Sequence, residues 1–110
     1  SQKLEEMQSL SAEIWRHIQN IEDENSNIVV LDRDGIRLTD KNSNVVTLDD
    51  KGIKVESNGK IELSALGDVK IEGANVEISA NAQFKANGAA AAELTSSGMT
   101  TIEGSIVNIN

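Results

Sequence analysis

The chain of 110 residues contains no cysteine and no proline, two aromatic residues (Trp15 and Phe84) and one histidine, His17. Without cysteine, neither a disulfide framework nor a thiolate metal site can hold a small fold together. Aromatics at 2% are very few for a monomer that must close a compact core. Cations are scarce as well. Ten Lys and Arg stand against 18 Asp and Glu, and the net charge of −8 opposes binding to nucleic acid or anionic lipid through bulk electrostatics. No apolar run approaches membrane-spanning length and no signal peptide is visible. Length alone makes one domain the default. The apolar fraction is still 38%, and the large aliphatics fall in register, which argues against disorder.

What is present is a short period. From Asn58 onward, pairs of inward-type residues separated by one outward residue recur: Ile61/Leu63, Val69/Ile71, Val76/Ile78, Phe84/Ala86, Ala92/Leu94, Thr100/Ile102 and Val107/Ile109. Successive pairs begin 8, 7, 8, 8, 8 and 7 residues apart. A fixed step of this kind marks a repeat architecture. An apolar–polar–apolar triplet is a minimal half-buried strand, because alternate side chains point to opposite faces. Most glycines precede a pair, Gly59, Gly67 and Gly98 by two residues and Gly73 and Gly104 by three, as expected where a chain turns a corner and lays down the next strand. The outward positions Glu62, Lys70, Glu77, Lys85 and Glu93 are charged and keep the outside soluble.

Ahead of this region stands a direct repeat. Asn-Ser-Asn-Ile-Val-Val-Leu-Asp-Arg-Asp-Gly-Ile-Arg-Leu begins at Asn25, and Asn-Ser-Asn-Val-Val-Thr-Leu-Asp-Asp-Lys-Gly-Ile-Lys-Val begins 17 residues later at Asn42. Each copy holds two apolar pairs, Val29/Leu31 with Ile36/Leu38 and Val46/Leu48 with Ile53/Val55. Asp and Gly between the pairs supply turn chemistry, so each copy reads as a strand–turn–strand unit. A calcium loop needs more alternating carboxylates than Asp32-Arg33-Asp34-Gly35 offers, so this is read as a turn.

The first segment, Gln2 to Glu22, lacks glycine and proline and is expected to be helical. Leu4, Met7, Ile14, Ile18 and Ile21 occupy heptad a and d positions, with Ser11 the polar exception and Leu10, Trp15 and His17 at the flanks. An isolated helix of ~20 residues is marginal, and isoleucine at a and d favours bundles of three or more. His17 has no second histidine or cysteine beside it and is read as a solvent-edge residue rather than a ligand.

Three-residue strands with a corner every eight residues cannot close a core alone. A single-chain solenoid usually consumes about 20 residues or more per turn, and no such superperiod is present. Three chains wound together would each supply one face per level and pair every strand edge with a neighbour. The narrow interior of such a prism also gives a role to Ala80, Ala82, Ala86 and the run Ala89 to Ala92. The expected fold is all-β, an intertwined triple-stranded β-helix (a homotrimeric prism) preceded by a short trimeric α-helical coiled coil. Its parts are 1–24 coiled coil, 25–57 strand–turn–strand repeats entering the needle, and 58–110 octad-repeat β-helix. Its core is Ile61, Leu63, Val69, Ile71, Val76, Ile78, Phe84, Leu94 and Ile102. Eleven pairs at the β spacing make a shaft of roughly 50 Å, and the helix adds roughly 30 Å. Such a rod offers no concave pocket, and no nucleophile–base, phosphate-loop or metal constellation stands out, so no enzyme and no cofactor are expected.

The stretch Val69-Lys-Ile-Glu-Gly-Ala-Asn-Val-Glu-Ile, continuing to Gly104-Ser-Ile-Val-Asn-Ile-Asn110, resembles the C-terminal needle of VgrG-type spike proteins. These belong to type VI secretion systems, contractile phage baseplates and related injection particles. The resemblance covers roughly 28–110, and the closing Gly104 to Asn110 is its most specific part. It implies a homotrimeric, envelope-puncturing spike at a baseplate tip, assembled in the bacterial cytoplasm and delivered outside or into a target cell. Tube and baseplate hub proteins would lie on its N-terminal side, with only transient contact with the target envelope. The OB-fold and tube-docking domains of full-length spikes are missing, so a fragment, a fusion or an unusually short spike is expected. The His-x-His pattern of metal-tipped phage spikes is absent too. This fits the arrangement in which a separate PAAR-repeat tip docks on the terminal layer, here Ile106, Val107, Ile109 and Asn110. The alternative is a trimeric tail-fibre or adhesin stalk that binds a cell surface.

Overall fold

The computed structural model describes residues 1–17 and 20–110, with the side chains of 15–17 outside that description. Two compact units divide the chain, Ser1–Asp68 and Val69–Asn110. Among the described residues the elements are mostly β, with one short helix.

Helix α1 spans Gln2–His17. Its residues are mainly good helix formers, and the Ser1 hydroxyl caps it by accepting a hydrogen bond from the Leu4 N–H at 3.2 Å. Glu5 in the first turn complements the positive end of the helix dipole.

The helix is shorter than the sequence reading, which carried it to Glu22 and the coiled-coil segment to residue 24. Asn20–Glu22 form strand β1 instead, with Ile21 opposite Val29. The cause lies in the next residues. At Asp23 the chain enters a tight loop that returns it antiparallel to itself, and Ile21 thereby joins the apolar row of a sheet. Ile21 is thus a sheet residue, not a helical seam residue.

Strands β2 (Ile28–Asp32), β3 (Gly35–Thr39), β4 (Val45–Asp49) and β5 (Gly52–Glu56) follow. With β1 they form a five-stranded antiparallel sheet in sequential order. The 17-residue repeat produces two hairpins, β2–β3 and β4–β5, and β3 pairs with β4 to join them. Cross-strand partners share a face, so the register defines two apolar rows. One runs Ile21, Val29, Leu38, Val46, Val55, and the other Leu31, Ile36, Leu48, Ile53. The opposite face carries Arg37, Thr39, Thr47, Lys54 and Glu56, with Ile28, Val30 and Val45 among them.

Two kinds of turn hold this meander. At one end, Asp32 Oδ1 accepts from the N–H groups of Asp34 and Gly35, and Asp49 Oδ1 accepts from Lys51. Gly35 and Gly52 close these turns with φ of +138° and +129°. At the other end lie Asp23-Glu24-Asn25-Ser26-Asn27 and Asp40-Lys41-Asn42-Ser43-Asn44. In each, the aspartate carboxylate collects two backbone N–H groups, Asn25 and Asn27 in the first, Asn42 and Asn44 in the second, at 2.8–3.0 Å. Its second oxygen accepts from the side-chain amide of Asn27 or Asn44. The asparagine carbonyls then reach across to the next loop: Lys41 N–H donates to Asn27 Oδ1 at 3.1 Å, and Asn58 N–H to Asn44 Oδ1 at 2.9 Å. The loops are laddered, one on the next.

The two turn glycines are not equivalent. A Cβ on Gly35 would collide with the Leu48 carbonyl oxygen, whereas one on Gly52 meets open space. Gly52→Ala therefore bears only the backbone conformational penalty, about 1–2 kcal/mol, and Gly35→Ala about 3 kcal/mol or more. Urea unfolding of the two variants checks the order. For Asn44→Ala, which removes one bond within its loop and one to the next, a loss of about 1–2 kcal/mol is expected in the same measurement.

Candidate assembly surface

From Asn58 the chain bends sharply at regular positions: 58–59, 66–67, 74–75, 81–82, 89–90, 97–98 and 105–106. Each segment after a bend carries one of the apolar pairs read from the sequence, Ile61/Leu63 after the first and Val107/Ile109 after the last. Local geometry therefore has the same period as the side-chain pattern.

These segments do not pair with one another. Within Val69–Asn110 no strand forms, and the one hydrogen bond is from the Gly98 N–H to Ser96 Oγ at 3.1 Å. The pair residues stand open as well: Val69 is 51% exposed, Ile71 67%, Phe84 61% and Leu94 76%. Ile61, Leu63, Val76, Ile78 and Ile102 are similarly exposed, and so are Ile106, Val107, Ile109 and Asn110 of the terminal layer. Among the described residues none is buried. Between the apolar pairs, outward charges find local partners only at the start, where Lys60 and Glu62 form an exposed ion pair at 2.8 Å.

In the first unit the same chemistry appears in a different setting. On α1, Leu4, Met7, Leu10 and Ile14 are each more than half exposed. Ile18 of the expected seam lies outside the described residues, as do the side chains of Trp15 and His17. In the sheet, Val29, Val46 and Leu48 are half-buried by their neighbours, while Ile53 and Val55 on β5 are exposed. Ile21, Val29, Leu38, Val46 and Val55 line one open hollow beside Asp23, Asn27, Asp40 and Asn44. Sequence reasoning missed Ile21 as the fifth member of this row. The signal was there: Asp23-x-Asn-Ser-Asn matches Asp40-x-Asn-Ser-Asn at 17 residues, so what precedes Asp23 should match the strand that precedes Asp40.

The turn carboxylates are engaged by their own backbone amides, and among the described residues no three His, Cys, Asp or Glu side chains gather as a ligand group. No helix among them is long and apolar enough to cross a membrane. Neither a protein-family model nor a curated protein matches the chain.

Two loop aspartates have displaced acidity. Asp23 is held below the ordinary carboxylate range chiefly by the side-chain amide of Asn27, and Asp40 chiefly by the backbone N–H of Asn44. A carboxylate lowered in the folded state contributes stability that is complete above its unfolded pKa, about 3.9, and is lost as pH falls through the folded value. The sheet should thus lose stability progressively below about pH 4. Asp40→Asn should flatten that acid limb in thermal melts recorded from neutral to acidic pH, while Asp40→Ala should lower Tm at neutral pH by an amount that shrinks as the pH falls.

Proposed function

We propose that this chain is a structural needle: three copies braid into a triple-stranded β-helix, led by a coiled coil through Leu4, Met7 and Ile14, and serve as the envelope-puncturing spike of a contractile injection machine. The observation that carries the assembly is the unit Val69–Asn110, whose backbone is regularly bent yet has one hydrogen bond of its own. Backbone N–H and C=O groups of an ordered segment find partners, and here neighbouring chains are the source that also covers the apolar pairs. The resemblance to VgrG-type needles supplies the machine, of the class that comprises type VI secretion systems, phages and phage-like particles.

The mechanism is mechanical. Three chains cross-linked by hydrogen bonds along their length cannot shear without many bonds breaking together, and braided chains cannot separate without unwinding. A charge of −8 per chain, −24 for three, suits passage through a membrane rather than residence in it. The protein catalyses nothing and binds no cofactor in this role. Its place is the baseplate tip, with hub proteins on the N-terminal side and a PAAR-repeat tip seated on Ile106, Val107, Ile109 and Asn110.

Light scattering should return a mass near three times 11.8 kDa, and a monomer would reject the assembly. Val76→Asp places three carboxylates on the shared axis, at several kcal/mol per buried ion, and should abolish the trimer, whereas Glu77→Lys on the outward position should leave it intact. A pull-down with a PAAR-repeat protein, with and without the last seven residues, tests the docking layer. Binding to cell-surface glycans in place of any tip protein would favour the fibre or adhesin stalk.

A further inference from the structure

The chain contains two Asn-Gly steps, Asn58-Gly59 and Asn87-Gly88, and all four residues are exposed. In an Asn-Gly step, the glycine backbone nitrogen can attack the asparagine side-chain carbonyl. The new N–Cγ bond closes a succinimide, the Cγ–Nδ2 bond breaks, the displaced proton leaves with the ammonia, and water opens the ring to aspartate or isoaspartate. Glycine permits this because no Cβ hinders the approach. Composition and exposure do not separate the two steps; hydrogen bonding does.

At Asn58 the reacting groups are tied. Its Nδ2 donates to the Asn42 carbonyl at 2.7 Å, its own N–H donates to Asn44 Oδ1 at 2.9 Å, and the Gly59 N–H, whose nitrogen would be the nucleophile, donates to Ser57 Oγ at 3.0 Å. The two Asn-Ser steps are restrained in the same way at the nucleophile, with the Ser26 N–H held by the Asp23 carbonyl and the Ser43 N–H by the Asp40 carbonyl. At Asn87 and Gly88 no hydrogen bond from the same chain restrains either group. Gly88 cannot be relieved by a larger residue, because a Cβ there would strike the Ala91 carbonyl oxygen.

We infer that Asn87-Gly88 is the chain's site of spontaneous succinimide formation and that the asparagine ladder spares Asn58-Gly59. The modification has a structural consequence. Isoaspartate adds one methylene to the main chain between the bends at 81–82 and 89–90, in the segment that carries Phe84 and Ala86, and so breaks the spacing on which that level depends.

The test is to hold the chain of 110 residues at mildly alkaline pH and to follow both steps by peptide mapping, reading the mass gain of amide-to-acid conversion. Asn87 should convert at least about tenfold faster than Asn58, equivalent to about 1.4 kcal/mol in barrier. Equal rates, faster conversion at Asn58, or no conversion at Asn87 would overturn the inference. Asn87→Gln should remove the main product. Ser57→Ala, or Asn44→Ala should the first variant fail to fold, should raise conversion at Asn58, and an unchanged rate there would remove the protective role of the ladder.

Discussion

Backbone hydrogen bonding is the constraint from which the rest of this chain follows. Every residue here has an N–H to satisfy, since there is no proline, and the two units differ in how far they do so. In the first, a meander of five short strands closes most of its bonds within the chain. In the second, bends recur at steps of 7 or 8 residues and leave segments too short to fold back on one another. Within Val69–Asn110 those segments leave nearly all their donors without a partner. Apolar pairs compound the demand, because the faces that lack hydrogen-bond partners also lack apolar cover.

Side chains set the register of the sheet as firmly as its strands do. Aspartate at 23 and 40 gathers the amides of its own loop, and asparagine at 27 and 44 reaches to the loop that follows. The series continues in reduced form at Ser57, 17 residues after Asp40, whose hydroxyl accepts the Gly59 N–H as the aspartates accept those of Asn25 and Asn42. A one-residue slip would turn Val29, Leu38 and Val46 to the polar face and break the ladder as well. The two devices reinforce each other.

Much of this was legible in the sequence because strand alternation is a local property. The pairs Val29/Leu31, Ile36/Leu38, Val46/Leu48 and Ile53/Val55 each land on one strand, and their pairing follows from the turn residues between them. What was not legible was the end of the helix. Ile21 continues the heptad of Ile14 as well as it fits a strand, and periodicity alone does not choose between them. The long-range partner Val29 decides it, through a loop whose governing residue, Asp23, looks like ordinary surface charge until its hydrogen bonds are seen. The apolar pairs of the second unit were readable as a pattern of residues, but its lack of internal hydrogen bonds is a three-dimensional fact.

The irregularity of the period has its own physical origin. The two seven-residue steps end at Val76 and Val107, the only pairs that begin immediately after a bend. Both follow a glycine placed one residue ahead of the bend, Gly73 and Gly104, whose absent Cβ would lie 3.1 and 3.2 Å from the carbonyl oxygen two residues on, that of Asn75 or Ile106. Gly88 also precedes its bend, but the carbonyl that crowds it belongs to Ala91, three residues on, and the step there is eight. At Gly73 and Gly104 the pair thus begins one residue sooner after its bend than elsewhere, and the apolar–x–apolar unit itself stays unchanged.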